Sequence, residues 1–290
     1  MDIELIKSRN VSKCVSAAFN LFNSNIKRIV TALWLPLLVF SLVASAFLTV
    51  SFFVFGFKGE TASTLWIVYG MMLVMLASYV WFLSSLFNLL NGQGMKRNLM
   101  KMIKVFLAYI ALIVVFGIII SAMVVVPNLV GDGVDKSHVL TMVFGLILVF
   151  TLLFLVLMLP FTYSFMAYMM EEGSFRKTFF PAYKVGFRHW GFLFVVMFVV
   201  GLISIVVSCV LTMPLIILNI VQMLSYRGLA WGDPSGLPSY FPWFFFMTST
   251  ILYVLVSIFS VWIYMVIYYA YGSIKRNEID RNNKKNIQEQ

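Results

Sequence analysis

The apolar positions of this chain fall into six long, almost uncharged stretches, and short segments between them carry nearly all of the charges. Each stretch exceeds the about 20 apolar residues that a helix needs to cross a hydrocarbon core of about 30 Å. A transmembrane β-barrel would show strands of about ten residues with alternating polarity, so the pattern excludes one. It predicts an all-α, polytopic bundle of six transmembrane helices at about 29–56, 65–90, 104–127, 139–170, 190–224 and 243–273.

The composition supports this prediction and divides the chain into three parts. Of the 290 residues, 62% are hydrophobic and only 11% are charged, with a mean hydropathy of +0.97. A soluble domain has about 25% charged residues, so a soluble enzyme is excluded. We expect a cytoplasmic amphipathic segment at 1–28, the membrane domain at 29–273 and a disordered polar tail at 274–290.

The basic residues predict the orientation of the six helices. Of the 21 Lys and Arg residues, 18 fall on one side of the predicted topology, and only Lys58, Lys136 and Arg227 fall on the other. Cytoplasmic loops are enriched in Lys and Arg, so both termini are predicted to be cytoplasmic. The first 28 residues lack the apolar core of a signal peptide, so the first helix is expected to direct insertion. These features predict a multi-pass protein of the bacterial cytoplasmic membrane.

Two amphipathic segments precede the first and fifth predicted helices. In 11–27, Asn10 or Ser12 is a candidate N-cap, and one apolar face comprises Val11, Val15, Ala18, Phe19, Phe22 and Ile26. In 175–188 an apolar face that includes Gly186 lies opposite a basic one. Such helices lie at the membrane surface, either as simple anchors or to sense lipid or dock a partner. The side chains predicted to contact anionic headgroups are Lys13, Lys27, Arg28, Arg176, Lys177, Lys184 and Arg188.

Small polar residues recur at helical spacing on the first, second, fifth and sixth predicted helices, but not on the third and fourth. Polar side chains avoid lipid tails, so these four stripes are expected to face a common interior. They are either ordinary helix-packing residues or the lining of a weakly polar groove. The members of this polar stripe are Ser41, Ser45, Thr49, Ser78, Ser85, Asn88, Ser204, Ser208, Thr212, Asn219, Ser257, Ser260 and Tyr264.

Part of the stripe belongs to an internal similarity. The segment 41–49 reads SLVASAFLT and 204–212 reads SIVVSCVLT, with five of nine positions identical. The first hairpin is therefore predicted to repeat as the last hairpin in the same orientation, an arrangement that occurs in transporters. Such a repeat would give the four helices related roles.

The predicted helices contain no residue suited to catalysis or ion coupling. Pumps usually carry an ionisable side chain inside the membrane, and no Asp, Glu, His, Lys or Arg lies in the interior of a predicted helix. Cys14 and Cys209 lie at different depths and suggest neither a disulfide nor a metal site. The sequence predicts no catalytic residue, cofactor, metal or nucleic-acid partner. Its expected partners are membrane lipids, a second copy of the chain or a membrane complex.

A family resemblance rests on the pattern A-[FY]-x-[LV], which begins at Ala18 and again at Ala182, each time before a long apolar helix. With six helices, this pattern resembles bacterial integral membrane families related to the membrane domain of some glycerophosphodiester phosphodiesterases. The resemblance depends mainly on 11–50 and 174–212. The sequence has no part that resembles the phosphodiesterase domain, so the resemblance implies no such activity.

Two functions remain open at this stage. The first is a non-catalytic membrane component that acts in envelope homeostasis or as a subunit of a complex. The second is a passive or partner-driven transporter, or a lipid-translocating bundle, that uses the polar stripe.

Overall fold

The computed structural model describes residues 5–55, 62–129, 136–232 and 236–288, and Lys58 lies outside them. Within these ranges the chain is entirely helical, with no β-strand. A π-helical turn, Ser51–Phe55, follows the first helix. The α-helices are α1 (Val11–Val50), α2 (Ala62–Asn91), α3 (Met95–Leu129), α4 (Lys136–Met170), α5 (Phe175–Arg188), α6 (Trp190–Ala230) and α7 (Phe241–Gln288).

Six of the described helices are long and apolar enough to cross a membrane, and α5 is the exception. Their positions match the six apolar stretches of the sequence. By helix length and composition the chain is a polytopic membrane protein. In α3 and α4 only 6% of the most apolar part is buried against protein, compared with 39% in α7.

The N-terminal amphipathic segment is not a separate helix, contrary to the prediction. Residues 11–50 form one continuous helix, because no glycine or proline interrupts it near residue 28. Asn10 is its N-cap, and the Asn10 Oδ1 accepts a hydrogen bond from the Lys13 N–H at 3.0 Å. The buried residues of the first turns include Cys14 and Ala18, whereas Phe19 and Ile26 are exposed. Ala18 belongs to the predicted apolar face and Cys14 does not, so the face that packs against protein overlaps the predicted one only in part.

The polar tail is also helical, where its composition predicts disorder. Helix α7 runs without a break from Phe241 to Gln288. Extending an existing helix avoids the cost of nucleation. Ion pairs between residues one turn apart stabilise this part of the helix. Arg276 Nε lies 3.2 Å from Asp280 Oδ1, and Arg281 Nη1 lies 4.0 Å from Glu278 Oε1.

The helices form two compact units. The terminal unit comprises Met1–Leu99 and Phe198–Gln290, and the central unit comprises Met100–Met197. In the terminal unit α1 packs most extensively against α7, and next against α2. In the central unit the main contact joins α4 and α5.

The two ends of the terminal unit's chain meet. The backbone N–H of Arg9 donates to Ser273 Oγ at 2.9 Å, and Ser273 Oγ donates to the Arg9 carbonyl at 2.8 Å. The Arg9 guanidinium lies 4.8 Å from the centre of the Tyr269 ring. The start of α1 and the end of the apolar part of α7 therefore lie on one side, as an even number of spans requires. That this side is cytoplasmic stays a prediction.

Candidate functional site

The polar stripe of α1 meets α7 directly. Ser45 Oγ donates to the Phe246 carbonyl at 2.7 Å and is hydrogen-bonded to Ser249 Oγ. Ser41, one turn earlier, is fully buried, and its Oγ has no hydrogen-bond partner in the described part of the chain. Ser257 of α7 is buried as well. These hydroxyls lie inside a helix–helix contact.

Helix α2 meets the α7 stripe through Tyr79, which lies outside the predicted α2 stripe. The hydroxyls of Tyr79 and Tyr264 lie 3.0 Å apart, and the Phe87 ring packs edge-on against Tyr264 with centroids 6.0 Å apart. Phe40 of α1 packs on Tyr79 at 5.2 Å. The structure thus joins α1, α2 and α7 in one packed core.

Asn88 does not face this core, although its spacing predicts that it does. Its Oδ1 accepts the Gly94 N–H at 3.0 Å and closes the α2–α3 turn. Gly92 and Gly94 have φ angles of 65° and 93°, which favour glycine. Asn91 and Asn98 complete the turn with two amide hydrogen bonds of 2.8 and 3.0 Å.

The remaining stripe hydroxyls and amides bond mainly to their own helices. On α6, Ser204 donates to the Val200 carbonyl and Thr212 to the Ser208 carbonyl, both at 2.7 Å. Ser208 is only half-buried. The structure therefore does not bring the α6 stripe into the hydrogen-bonded core of α1, α2 and α7. The other residues with bonds to their own backbone are Thr49, Ser78, Ser85, Asn219 and Ser260.

In the central unit, a proline kink in α4 organises α5. Pro160 has no N–H, so the carbonyl of Val156 lacks its normal helical donor. Trp190 supplies it, because its Nε1 donates to that carbonyl at 3.1 Å. The Tyr183 hydroxyl donates to the next carbonyl, that of Leu157, at 2.9 Å. Burial raises the pKa of the Tyr183 phenol above its ordinary value, so the phenol stays protonated and remains a donor.

Gly186 allows α5 to lie against this kink. A Cβ at Gly186 would lie 3.0 Å from the carbonyl oxygen of Pro160 and 3.1 Å from its Cα. Both are backbone atoms, so they cannot swing away as a side chain can. Gly186 is buried together with Phe179 and Ala182, which confirms the predicted apolar face of α5.

Lys101 closes the other end of α4. It is only 5% exposed, and its Nζ donates to the carbonyls of Glu171 at 2.7 Å and Met169 at 3.4 Å. The Nζ also lies 5.5 Å from the centre of the Tyr168 ring. A cation here complements the negative end of the helix dipole. The sequence had placed Lys101 only among the topology-setting charges.

The basic residues predicted to meet headgroups are exposed. Arg176 and Lys184 border a groove on α5 together with Phe180 and Pro181. In the described part of the chain, no hydrogen bond or ion pair involves Arg176 or Lys184. The remaining members of this exposed set are Lys13, Lys27, Arg28, Lys177 and Arg188.

An apolar cavity of about 400 Å³ adjoins that groove, between α3, α4 and α5. At one end Phe116 stacks on Phe154 with ring centroids 4.1 Å apart. At the other end Phe161 packs edge-on against Phe179 at 5.1 Å. Phe180 lines both the cavity and the basic groove, so the two adjoin at this side chain. The cavity volume lies within the range of about 300–1,000 Å³ that is usual for small-molecule sites.

Sequence reasoning missed Tyr79, Lys101 and the contact between Pro160 and Gly186. A glycine on the apolar face of an amphipathic helix signals a close backbone approach, and a proline inside a span predicts a carbonyl in need of a donor. The spacing of Asn98, Lys101, Met102 and Val105 places them on one face of α3, and all four are buried. The sequence shows this shared face, but it does not show which residues contact it.

In comparisons with known proteins, no family model, curated protein or solved structure matches the chain. The resemblance to membrane domains of phosphodiesterases and the internal repeat therefore stay predictions.

Proposed function

We propose that the chain is a non-catalytic membrane component, acting in envelope homeostasis or as a subunit of a membrane complex. The observation that carries this proposal is the use made of the polar stripe. Ser45 is bonded to α7, Tyr79 is bonded to Tyr264, and Asn88 closes a turn. Side chains engaged in this way stabilise helix packing and do not present a polar path.

The surrounding features agree with this role. The described parts of the six long helices have no charged side chain in their apolar interiors, which disfavours ion coupling. The exposed basic residues suit anionic headgroups at a cytoplasmic face, with both termini on that side of the bacterial cytoplasmic membrane. The exposed apolar faces of α3 and α4 suit lipid, a second copy of the chain or a partner subunit.

One observation favours the alternative of a transporter or lipid-translocating bundle. Ser41 Oγ and Gln222 Oε1 are buried without a hydrogen-bond partner in the described part of the chain. Buried polar atoms are nearly always paired, so such atoms are positions where water or a polar substrate group would bind. Ser41 lies on α1 and Gln222 on α6, two of the four helices that carry the stripe.

Aqueous thiol labelling separates the two functions. The background carries Cys14→Ala and Cys209→Ala, because both native thiols are free. Single cysteines then replace Ser41, Ser45 and Ser257, and membranes are treated with a charged maleimide from each side. Packing predicts no labelling at these three positions. Lys284→Cys, on the exposed end of α7, is the reactive control.

Cysteines at Ser204 and Ser208 sharpen the test, since these side chains are only half-buried. These two cysteines are expected to face lipid and therefore also to resist the charged reagent. Labelling at helical periodicity on α1 and α6 together would contradict the packing role and favour a hydrated path.

A further inference from the structure

The central unit places a basic groove next to an aromatic cavity, with Phe180 lining both, and we propose that the two together bind one anionic phospholipid. The acyl chain would occupy the cavity between α3 and α4, and the phosphate would meet Arg176 and Lys184. This inference is independent of whether the chain acts as a scaffold or as a transporter.

The cavity has the chemistry of an acyl-chain site. Its wall consists almost entirely of apolar side chains, with the stacked rings of Phe116, Phe150 and Phe154 at one end. The one hydroxyl among the lining residues, that of Tyr183, donates to the Leu157 carbonyl. Little in the wall is left to bind a polar solute, whereas a hydrocarbon chain needs only apolar contact.

The groove supplies the charge that the cavity lacks. Arg176 and Lys184 lie two helical turns apart on α5, with Phe180 between them. In the described part of the chain neither makes an ion pair or hydrogen bond, so each is available to an external anion. An Arg matches the oxygen pair of a phosphate, and a Lys adds a point charge.

The order of these features along α5 argues for an amphiphile. Phe180 contacts both spaces, so one molecule can place its tail against Phe180 from the cavity and its headgroup in the groove. A soluble phosphorylated molecule would use only the groove, and a neutral lipid only the cavity. Gly186 packs closely on the Pro160 backbone and Tyr183 donates to the Leu157 carbonyl, so α5 is held against α4 beside the cavity.

The test uses the full chain in phosphatidylcholine nanodiscs that contain a small fraction of spin-labelled lipid. Electron spin resonance then measures the motionally restricted fraction of labelled phosphatidylglycerol and, separately, of labelled phosphatidylcholine. We expect selectivity for phosphatidylglycerol. Arg176→Gln with Lys184→Gln is expected to lower that selectivity about tenfold, because each basic residue near the surface contributes attraction to anionic lipid.

The matched control removes the same charge elsewhere on exposed surface, by Lys96→Gln with Lys104→Gln. It is expected to retain most of the selectivity. Ala108→Phe fills the cavity and should lower the restricted fraction of phosphatidylglycerol, and Leu112→Phe serves the same purpose if the first variant does not fold. Size-exclusion and circular dichroism profiles verify folding.

Three results would overturn the proposal. Equal restriction of both lipids would show no anionic site, and an equal loss in the control would show general surface charge. Unchanged phosphatidylglycerol restriction in a folded cavity-filling variant would show headgroup attraction without the acyl-chain site.

Discussion

The terminal and central units stabilise their helices in different ways. In the terminal unit, side chains of facing helices bond to each other or to the facing backbone, as Ser45 does with Ser249 and Phe246. In the central unit, Trp190 donates to the Val156 carbonyl, which Pro160 deprives of its helical donor, and Lys101 donates to carbonyls at the end of α4. The comparison teaches that a polar side chain beside an apolar helix can join two helices or can supply a donor that a helix lacks.

Substitutions at the contacts of α4 should destabilise the protein more than substitutions between α1 and α7. A carbonyl left unpaired in an apolar setting loses its full hydrogen-bond energy. When a serine hydroxyl that joins two helices is removed, the atom that it bonded can still have another hydrogen-bond donor.

The largest effect is expected for Gly186→Val. The new side chain would meet the Pro160 backbone and displace α5, with a loss of about 3 kcal/mol in the free energy of unfolding. Denaturant titration of the detergent-solubilised protein measures this loss. Gly191→Val is the control, since a Cβ at Gly191 meets no atom within 4 Å. Equal losses in both variants would mean that the kink contact has no special role.

An intermediate effect is expected for Lys101→Met, which keeps the length of the side chain but removes the ammonium group. The Glu171 and Met169 carbonyls lose a charged donor, at a cost of about 2 kcal/mol. The same titration provides the measurement, with Lys104→Met as a control on exposed surface. An unchanged stability would contradict the role of Lys101 as a cap of α4.

The smallest effect is expected for Ser45→Ala, about 0.6 kcal/mol, which is typical of a hydrogen bond between membrane helices. Ser208→Ala, at the matching position of the internal similarity, is expected to cost close to nothing because its side chain is half-buried on α6. A double-mutant cycle of Ser45→Ala and Ser249→Ala measures the coupling directly. A larger loss in the free energy of unfolding for Ser208→Ala than for Ser45→Ala would indicate that α6 does face the common interior predicted from the stripes.

Several features of the fold followed from the sequence by local rules. Long uncharged stretches predicted the six helices, and Asn10 was one of two candidate N-caps for the N-terminal helix. The apolar face of α5 was visible in its spacing. Each of these depends on residues close together in the chain.

Other features escaped sequence reasoning because they depend on what lies opposite. Segments 41–49 and 204–212 are alike in sequence, yet Ser45 is buried against α7 whereas Ser208 is half-buried. Ala18, Phe19 and Ile26 belong to one predicted apolar face, yet of these three only Ala18 is buried against protein. In a lipid-facing chain, apolar periodicity does not distinguish a face that meets protein from one that meets lipid.

The sequence by itself determined that this chain is helical, how many of its helices can span a membrane and where its charges lie. Those properties follow from length, hydropathy and covalent order. Only the tertiary structure decided which polar atoms join two helices, which carbonyls are capped and that Arg176 and Lys184 adjoin an aromatic cavity. Hydrogen bonds and cavities need atoms from separate segments within a few ångströms, and that proximity exists only once the helices have packed.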